Sequence, residues 1–380
     1  MKKRSTIALF LILALCLLSV CGCSGGGDKG PAPGTGSPVP SPSQIPAAIE
    51  GGGAPQPDSG STQVLKLNSP EEILDELSQA MAQIRQPYAM DISSLALEQP
   101  EMDVKNLYYR ILSAQPQLKY AYDIAVSLDG TILSCNISYM PYITGQYPEG
   151  YEGLEISSLS ELISAAENNL GSESIPVLIT NTALEPDGMN KALQQAGGGY
   201  FSCTLNRDAT AILITSPVGM DAQSCIQALG QARELADSVI SQLVSQDMSQ
   251  EETALVLYSW LCSHVEYDQR YYSDKASMPY ESQTALGALR DGTAICGGYS
   301  HALKLLFERA GIPCFNVSGV YYGEYHMWNI ARINGQWLWF DSTSDRGSDG
   351  RFGFLRFALE QLDPDKYQWD IAEMQSLIDQ

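Results

Sequence analysis

His326-Met327-Trp328-Asn329-Ile330-Ala331-Arg332-Ile333-Asn334-Gly335-Gln336-Trp337-Leu338-Trp339-Phe340-Asp341 is the stretch on which the reading of this chain turns. Two apolar-rich runs flank Asn334-Gly335, the strongest two-residue signal for a type I′ hairpin turn in the sequence. A two-residue loop sets Ile333 opposite Gln336, Ile330 opposite Trp339 and Trp328 opposite Asp341. His326 lies two residues beyond Trp328, so it shares a sheet face with Asp341 and is its diagonal neighbour. Diagonal neighbours stand roughly 7–8 Å apart at Cα, a span that an imidazole and a carboxylate can close. Turn geometry alone therefore predicts a His326–Asp341 pair.

Working upstream, Thr293-Ala294-Ile295-Cys296-Gly297-Gly298-Tyr299 leads into apolar residues at Tyr299, Leu303, Leu306, Phe307 and Ala310, the spacing of one buried helical face. Gly311 and Pro313 end that helix, as a C′ glycine followed by a proline does. Cys296 is thus expected in or just before the first turn, where unpaired N–H groups and the positive end of the helix dipole favour a thiolate. This is a placement suited to a nucleophile.

Four blocks now stand in order: Gly292 to Tyr299 around Cys296, Ala310-Gly311-Ile312-Pro313, His326-Met327-Trp328-Asn329, and Asn334 through Asp341 to Thr343. Together they resemble a bacterial transglutaminase-like (transglutaminase/protease-like) domain over residues 249–345, and Tyr267-Asp268 matches as well. The resemblance implies an α+β, papain-like core in which the cysteine helix packs on an antiparallel sheet carrying the other two residues. It also implies that Cys296, His326 and Asp341 converge as a catalytic triad, which neither periodicity nor spacing establishes. One departure is Leu286, at a position where many relatives carry an aromatic residue.

Upstream again, residues 1–23 read as a lipoprotein signal peptide: a positive Met1-Lys2-Lys3-Arg4, an apolar stretch over 7–20, and Val20-Cys21-Gly22-Cys23. Small Gly22 before Cys23 makes Cys23 the lipidation candidate, whereas bulky Val20 precedes Cys21. Lipidation would anchor the chain to a bilayer without a spanning helix. Residues 24–63 form a Gly/Pro/Ser tether too poor in apolar side chains to fold.

Residues 64–150 and 151–220 read as two copies of a small α+β module. Ser69-Pro70-Glu71-Glu72 and Ser158-Leu159-Ser160-Glu161 both open helices. Their apolar positions, together with Pro87 and Pro176, stay in step, each proline preceding a short strand (88–92 and 177–179). Second helices are expected near 104–114 and 188–196, and hairpin turns near Asp129-Gly130 and Asp208-Ala209. Residues 221–248 form a connecting helix, and the catalytic domain takes 249–380, opening on the capping box Ser249-Gln250-Glu251-Glu252.

The balance of 44 Asp and Glu against 22 Lys and Arg disfavours nucleic acid as a partner. If Cys296 is free, Cys135, Cys203, Cys225, Cys262 and Cys314 leave at least one more thiol unpaired, and no Cys/His spacing suggests a metal or cofactor. His301, about 140° round the helix from Cys296, faces elsewhere, and His264 ends the preceding helix. The run Asp341 to Gly350 alternates oxygen ligands but lacks the glycine and glutamate of a calcium loop, so it reads as a polar loop ending in an Asp349-Gly350 turn. The tail, with Phe354, Leu355, Phe357, Trp369 and Ile371, is expected to cap the domain.

The expectation is an extracytoplasmic, membrane-anchored lipoprotein at the cell surface or periplasmic face. Its substrate would be a peptide, protein or cell-wall acyl group, transferred through the cysteine to water or to an amine. The alternative is a catalytically inactive peptide- or cell-wall-binding surface lipoprotein.

Overall fold

The computed structural model describes residues 63–217, 219–347, 363–369 and 372–378. The signal segment, Cys23, tether residues 24–62, the Asp349-Gly350 turn and the tail residues Phe354, Leu355, Phe357 and Ile371 lie outside them. Among the described residues no helix is long and apolar enough to cross a membrane.

Caps and turns shape the first unit. β1 (Val64–Lys66) leads to α1 (Pro70–Ala82), where Pro70 occupies the first turn and the Ser69 side chain accepts the Glu72 N–H at 3.4 Å. β2 (Ala89–Asp91) lies parallel to β1, α2 (Pro100–Ala114) follows, and β3 (Ala121–Asp129) and β4 (Ile132–Tyr139) form a hairpin whose Gly130 takes φ +61°. The strand order is β1-β2-β4-β3. Ile73, Leu77, Met90, Tyr108 and Leu133 sit in a core confined to this unit.

The second unit begins with a single helical turn, α3 (Pro141–Thr144), then β5 (Leu154–Ile156), α4 (Leu159–Glu167), β6 (Ser174–Ile179), α5 (Pro186–Leu193), β7 (Ser202–Leu205) and β8 (Ala211–Thr215). Its order, β5-β6-β8-β7, and its strand senses repeat those of the first sheet. β6 starts at Ser174, earlier than expected, so Pro176 sits inside the strand. Val177 N–H bonds the Thr210 carbonyl, so the missing Pro176 N–H faces the other side, where β5 pairs only from Leu154↔Val177 onward. β1 and β5, the parallel edge strands, had no sequence signal strong enough to name.

Beyond these, α6 (Ala222–Leu243) is capped by Asp221, and α7 (Gln250–His264) by a complete Ser249/Glu252 capping box. β9 (Glu266–Tyr267), the turn α8 (Arg270–Ser273), β10 (Thr293–Ala294) and α9 (Cys296–Arg309) follow, β9 and β10 pairing in parallel. The last sheet holds β11 (Cys314–Tyr321), β12 (Glu324–Ile333), β13 (Gln336–Phe340) and β14 (Tyr367–Gln368) in the order β13-β12-β11-β14, all antiparallel, and α10 (Ala372–Ile378) ends the described chain. Ile333↔Gln336 and Ile330↔Trp339 pair as the turn dictates, with Asn334 at φ +50° and Gly335 at φ +83°. The ladder stops at Asn329↔Phe340, so Asp341 leaves the strand one step before the expected Trp328 pairing.

Helix α9 buries Tyr299, Leu303, Leu306 and Phe307 against this sheet, with the Phe307 and Phe340 rings edge to face at 5.3 Å. Each such side chain contributes about 1.5–3 kcal/mol by leaving water. This is an α+β fold in which the cysteine helix packs on an antiparallel sheet, and its core is continuous with that of the second unit.

Candidate active site

Cys296 is the first residue of α9. The preceding Ile295 is extended and its side chain caps nothing; the first intrahelical bond is Tyr299 N–H to Ile295 C=O at 3.1 Å. An apolar cap leaves the N–H groups of the first turn without a side-chain acceptor, at the positive end of the helix.

Three contacts fix that helix start. Ile295 N–H donates to Ser282 C=O at 2.8 Å, Asp268 N–H to Ala294 C=O at 2.9 Å, and the Tyr299 hydroxyl to the Val265 carbonyl. Asp268, matched by sequence without a role, accepts Ser282 Oγ at 2.6 Å and Arg270 Nε and Nη2 at 2.8 and 2.9 Å. The Arg270 hydrogen bond is the main reason its carboxyl is lowered to about 2. Gly298 is required by space: a Cβ would stand 2.6 Å from Ser282 O and 2.8 Å from Ala294 Cβ. Leu286 is 1 % exposed in the core and does not line the cleft described below.

His326 on β12 places Nε2 3.0 Å from Asp341 Oδ2. Asp341 is buried and held by three further donors: Ser344 N–H to Oδ1 at 3.0 Å, and Ser344 Oγ and the Tyr367 hydroxyl to Oδ2 at 2.7 and 2.8 Å. The loop bearing Asp341 is pinned to α7 by Gly347 N–H to Cys262 C=O at 2.7 Å. Sequence reasoning missed Ser344 and Tyr367. The Asp-x-x-Ser spacing could have suggested Ser344, whereas Tyr367 arrives from a distant strand with no local signal.

The electrostatics follow from these contacts. Burial pulls the His326 imidazolium down, yet hydrogen bonds to Asp341 and to the Cys296 side chain outweigh it and raise the group to about 9. Burial pushes the Asp341 carboxyl up, and the His326 bond with the Ser344 donors leaves it lowered on balance. With Nε2 on Asp341, Nδ1 is the ring nitrogen left for the sulfur. Cysteine, histidine and aspartate are thus brought together, and Cys296, His326 and Ser344 line one cleft of ≈ 270 Å³.

The other candidates stand apart. Cys135, Cys203, Cys225, Cys262 and Cys314 are free thiols but buried; burial raises Cys135 and Cys203 to about 12 and the others upward too. Among the described cysteines, Cys296 is the partly exposed one. His264 is exposed, stacked on Trp260 at 4.9 Å with Nδ1 2.9 Å from that residue's carbonyl. His301 lies off the cleft, its Nδ1 3.1 Å from Asn316 Nδ2. In the loop after Asp341, the Asp345 carboxylate accepts the Tyr258 hydroxyl at 3.0 Å.

The sequence model of the transglutaminase-like superfamily matches residues 237–342, beginning inside α6 and ending just past Asp341. Kyphoscoliosis peptidase from Homo sapiens is 26% identical over 168 residues, covering 37% of this chain and 25% of its own, and that from Mus musculus 24% identical over 163 residues, covering 36% and 24%. The chain therefore spans about a quarter of the length of these curated relatives. A crystal structure of a TGase covers 48% of this chain and 56% of its own at 15% identity, with a TM-score of 0.28. Residues 237–342 of this chain form a domain of the transglutaminase-like superfamily.

Proposed function

We propose that the chain is a protease-like thiol acyltransferase acting on peptide or protein amides, exported as a lipoprotein and held at the extracytoplasmic membrane face through Cys23. The observation that carries the catalytic part is His326, bonded to Asp341 through Nε2 at 3.0 Å and lining one cleft with Cys296.

In this reading the Cys296 thiolate attacks the amide carbonyl, and His326 then gives its proton to the leaving amine. Asp341 orients the ring and stabilises the imidazolium. The Cys296 N–H, at the uncapped start of α9, is aimed to stabilise the oxyanion; one such donor is worth about 3–4 kcal/mol in comparable sites. Water attacking the thioester gives hydrolysis, and a lysine amine attacking it gives a crosslink. Both outcomes use the same three side chains.

The export reading rests on the n-region, the apolar stretch and Gly22-Cys23. Metabolic lipid labelling of the full chain and of Cys23→Ala tests it, and an unlabelled wild type would refute it. For the chemistry, iodoacetamide labelling is read residue by residue by mass spectrometry. Cys296 should react at least ~10-fold faster than a free peptide thiol at pH 7, as a thiol activated by an adjacent base does. A rate like that of an ordinary thiol, unchanged in His326→Ala, would overturn the enzymatic reading.

A further inference from the structure

The mouth of the Cys296 cleft carries more tyrosine than packing requires. Tyr272, Tyr322 and Tyr325 line it and are 64, 62 and 76 % exposed. Such side chains gain little from the core. Tyr322 even sits where a tyrosine is costly: it takes φ +49° in the two-residue Tyr322-Gly323 turn joining β11 to β12, a conformation that asparagine or glycine adopts far more readily. Strain kept at the rim of a reactive site points to use rather than to folding.

One carboxylate stands among these rings. Glu324 follows the turn, lies on the His326 side of β12 two residues before it, and lines the same cleft. It is exposed and forms no ion pair among the described residues. Its charge reaches Tyr271, a phenol raised first by burial and then by neighbouring charges that include Cys296 and Glu324. Neighbouring tyrosine faces already hold cations: Lys275 Nζ lies 4.8 Å over Tyr271, and the Arg346 guanidinium 5.0 Å over Tyr267. Arg346 is further tied by its bond to the Thr343 carbonyl at 2.6 Å. Thr343, 4 % exposed, also lines the cleft, and its Oγ1 has no hydrogen-bond partner.

We propose that Tyr272, Tyr322, Tyr325 and Glu324 form a recognition rim for a basic side chain, lysine or arginine, flanking the carbonyl that Cys296 attacks. The proposal rests on the acyl-transfer reading above and narrows its substrate class. Phenol faces attract a cationic head, and Glu324 supplies the counter-charge. The net charge of −22 favours the approach of a basic segment over an acidic one.

The test uses the full chain and three peptidyl vinyl sulfones that differ only in the residue before the warhead: lysine, its neutral isostere norleucine, or glutamate. Second-order rates of Cys296 alkylation are read by intact mass, with iodoacetamide as a control that needs no rim. The lysine probe should react ~5–10-fold faster than the norleucine probe, and the glutamate probe slowest. In Glu324→Gln, and in wild type at high salt, the lysine preference should fall to within ~2-fold. Tyr322→Asn should slow the lysine probe ~3-fold more than the norleucine probe and raise the melting temperature by relieving the turn. Equal lysine and norleucine rates in wild type, or a preference untouched by Glu324→Gln, overturn the rim while leaving the nucleophile standing. Rapid iodoacetamide labelling with no probe reacting also overturns it. An ordinary iodoacetamide rate removes the acyl-transfer reading and the rim with it.

Discussion

Two polar clusters both touch α9 and β12, and each holds a histidine. In the cleft, His326 meets a carboxylate and a thiol and is raised to about 9. In the other cluster, His301 meets Asn316, which is tied to Asn329 at 2.9 Å and to Gln195 at 2.8 and 3.0 Å; burial first, and the Lys304 charge second, lower it to about 4. His326 is buried and His301 half-buried, and what sets their charge apart is the partner. Amides satisfy an imidazole without charging it, whereas a carboxylate and a thiol set it up to carry a proton. Burial of a histidine therefore says nothing of chemistry until its neighbours are named.

The largest break in that contrast should come from Cys296→Ala, which ought to remove acyl transfer by at least ~10⁴-fold while leaving the melting temperature near wild type, as turnover and calorimetry would read. Asp341→Asn should cost ~10³–10⁴-fold in rate by letting the wrong His326 tautomer form, although Ser344 and Tyr367 retain an oxygen partner. An intact rate in that variant would show that Asp341 is packing only.

The amide cluster should answer in stability instead. Asn329→Leu strips two donors from the group around Ser300 and Asn316, and should cost about 1–3 kcal/mol in urea unfolding with little change in the iodoacetamide rate of Cys296. A loss of rate without a loss of stability would mean that the two clusters act as one.

pH separates the histidines by sign. His326, raised from 6.5 to about 9, contributes stability fully present below pH 6.5 and lost as pH rises through 9, on the order of 3 kcal/mol. His301, lowered from 6.5 to about 4, contributes stability present above pH 6.5 and lost as pH falls towards 4. Denaturation midpoints from pH 4 to 9 should then tilt one way in His326→Asn and the other in His301→Asn, relative to wild type. The smallest effect belongs to Tyr367→Phe, which removes one of four bonds to Asp341 and should lower the rate ~10-fold or less and shift its alkaline limb, as a pH–rate profile would show.

What could be read beforehand divides along the same physical line. Asn334-Gly335 and strand parity were enough for the β12–β13 register and for the His326–Asp341 contact, because a tight turn fixes both within one local unit. Ser69, Ser158 and Ser249 announced three helix starts for the same reason. The convergence of Cys296 on that pair came only with the family resemblance, since the α9 approach depends on Ser282, Asp268 and Gly298 packing across the chain. β11, with its tyrosine turn, escaped because Tyr322 stands where turn chemistry expects asparagine. Tyr367 reaches Asp341 from 26 residues away, beyond any local pattern.

The second unit shares its apolar core with the transglutaminase-like domain, whereas the first keeps its own, and Tyr120 is partly buried against both. Between the two units run exposed ion pairs, Lys119 to Asp187 at 2.5 Å and Arg207 to Asp123 at 2.7 Å. Apolar contacts hold their strength in brine, while exposed charges at such a joint are screened within about 10 Å at 0.1 M salt. At this seam salt weakens the two ion pairs and leaves the Tyr120 packing in place.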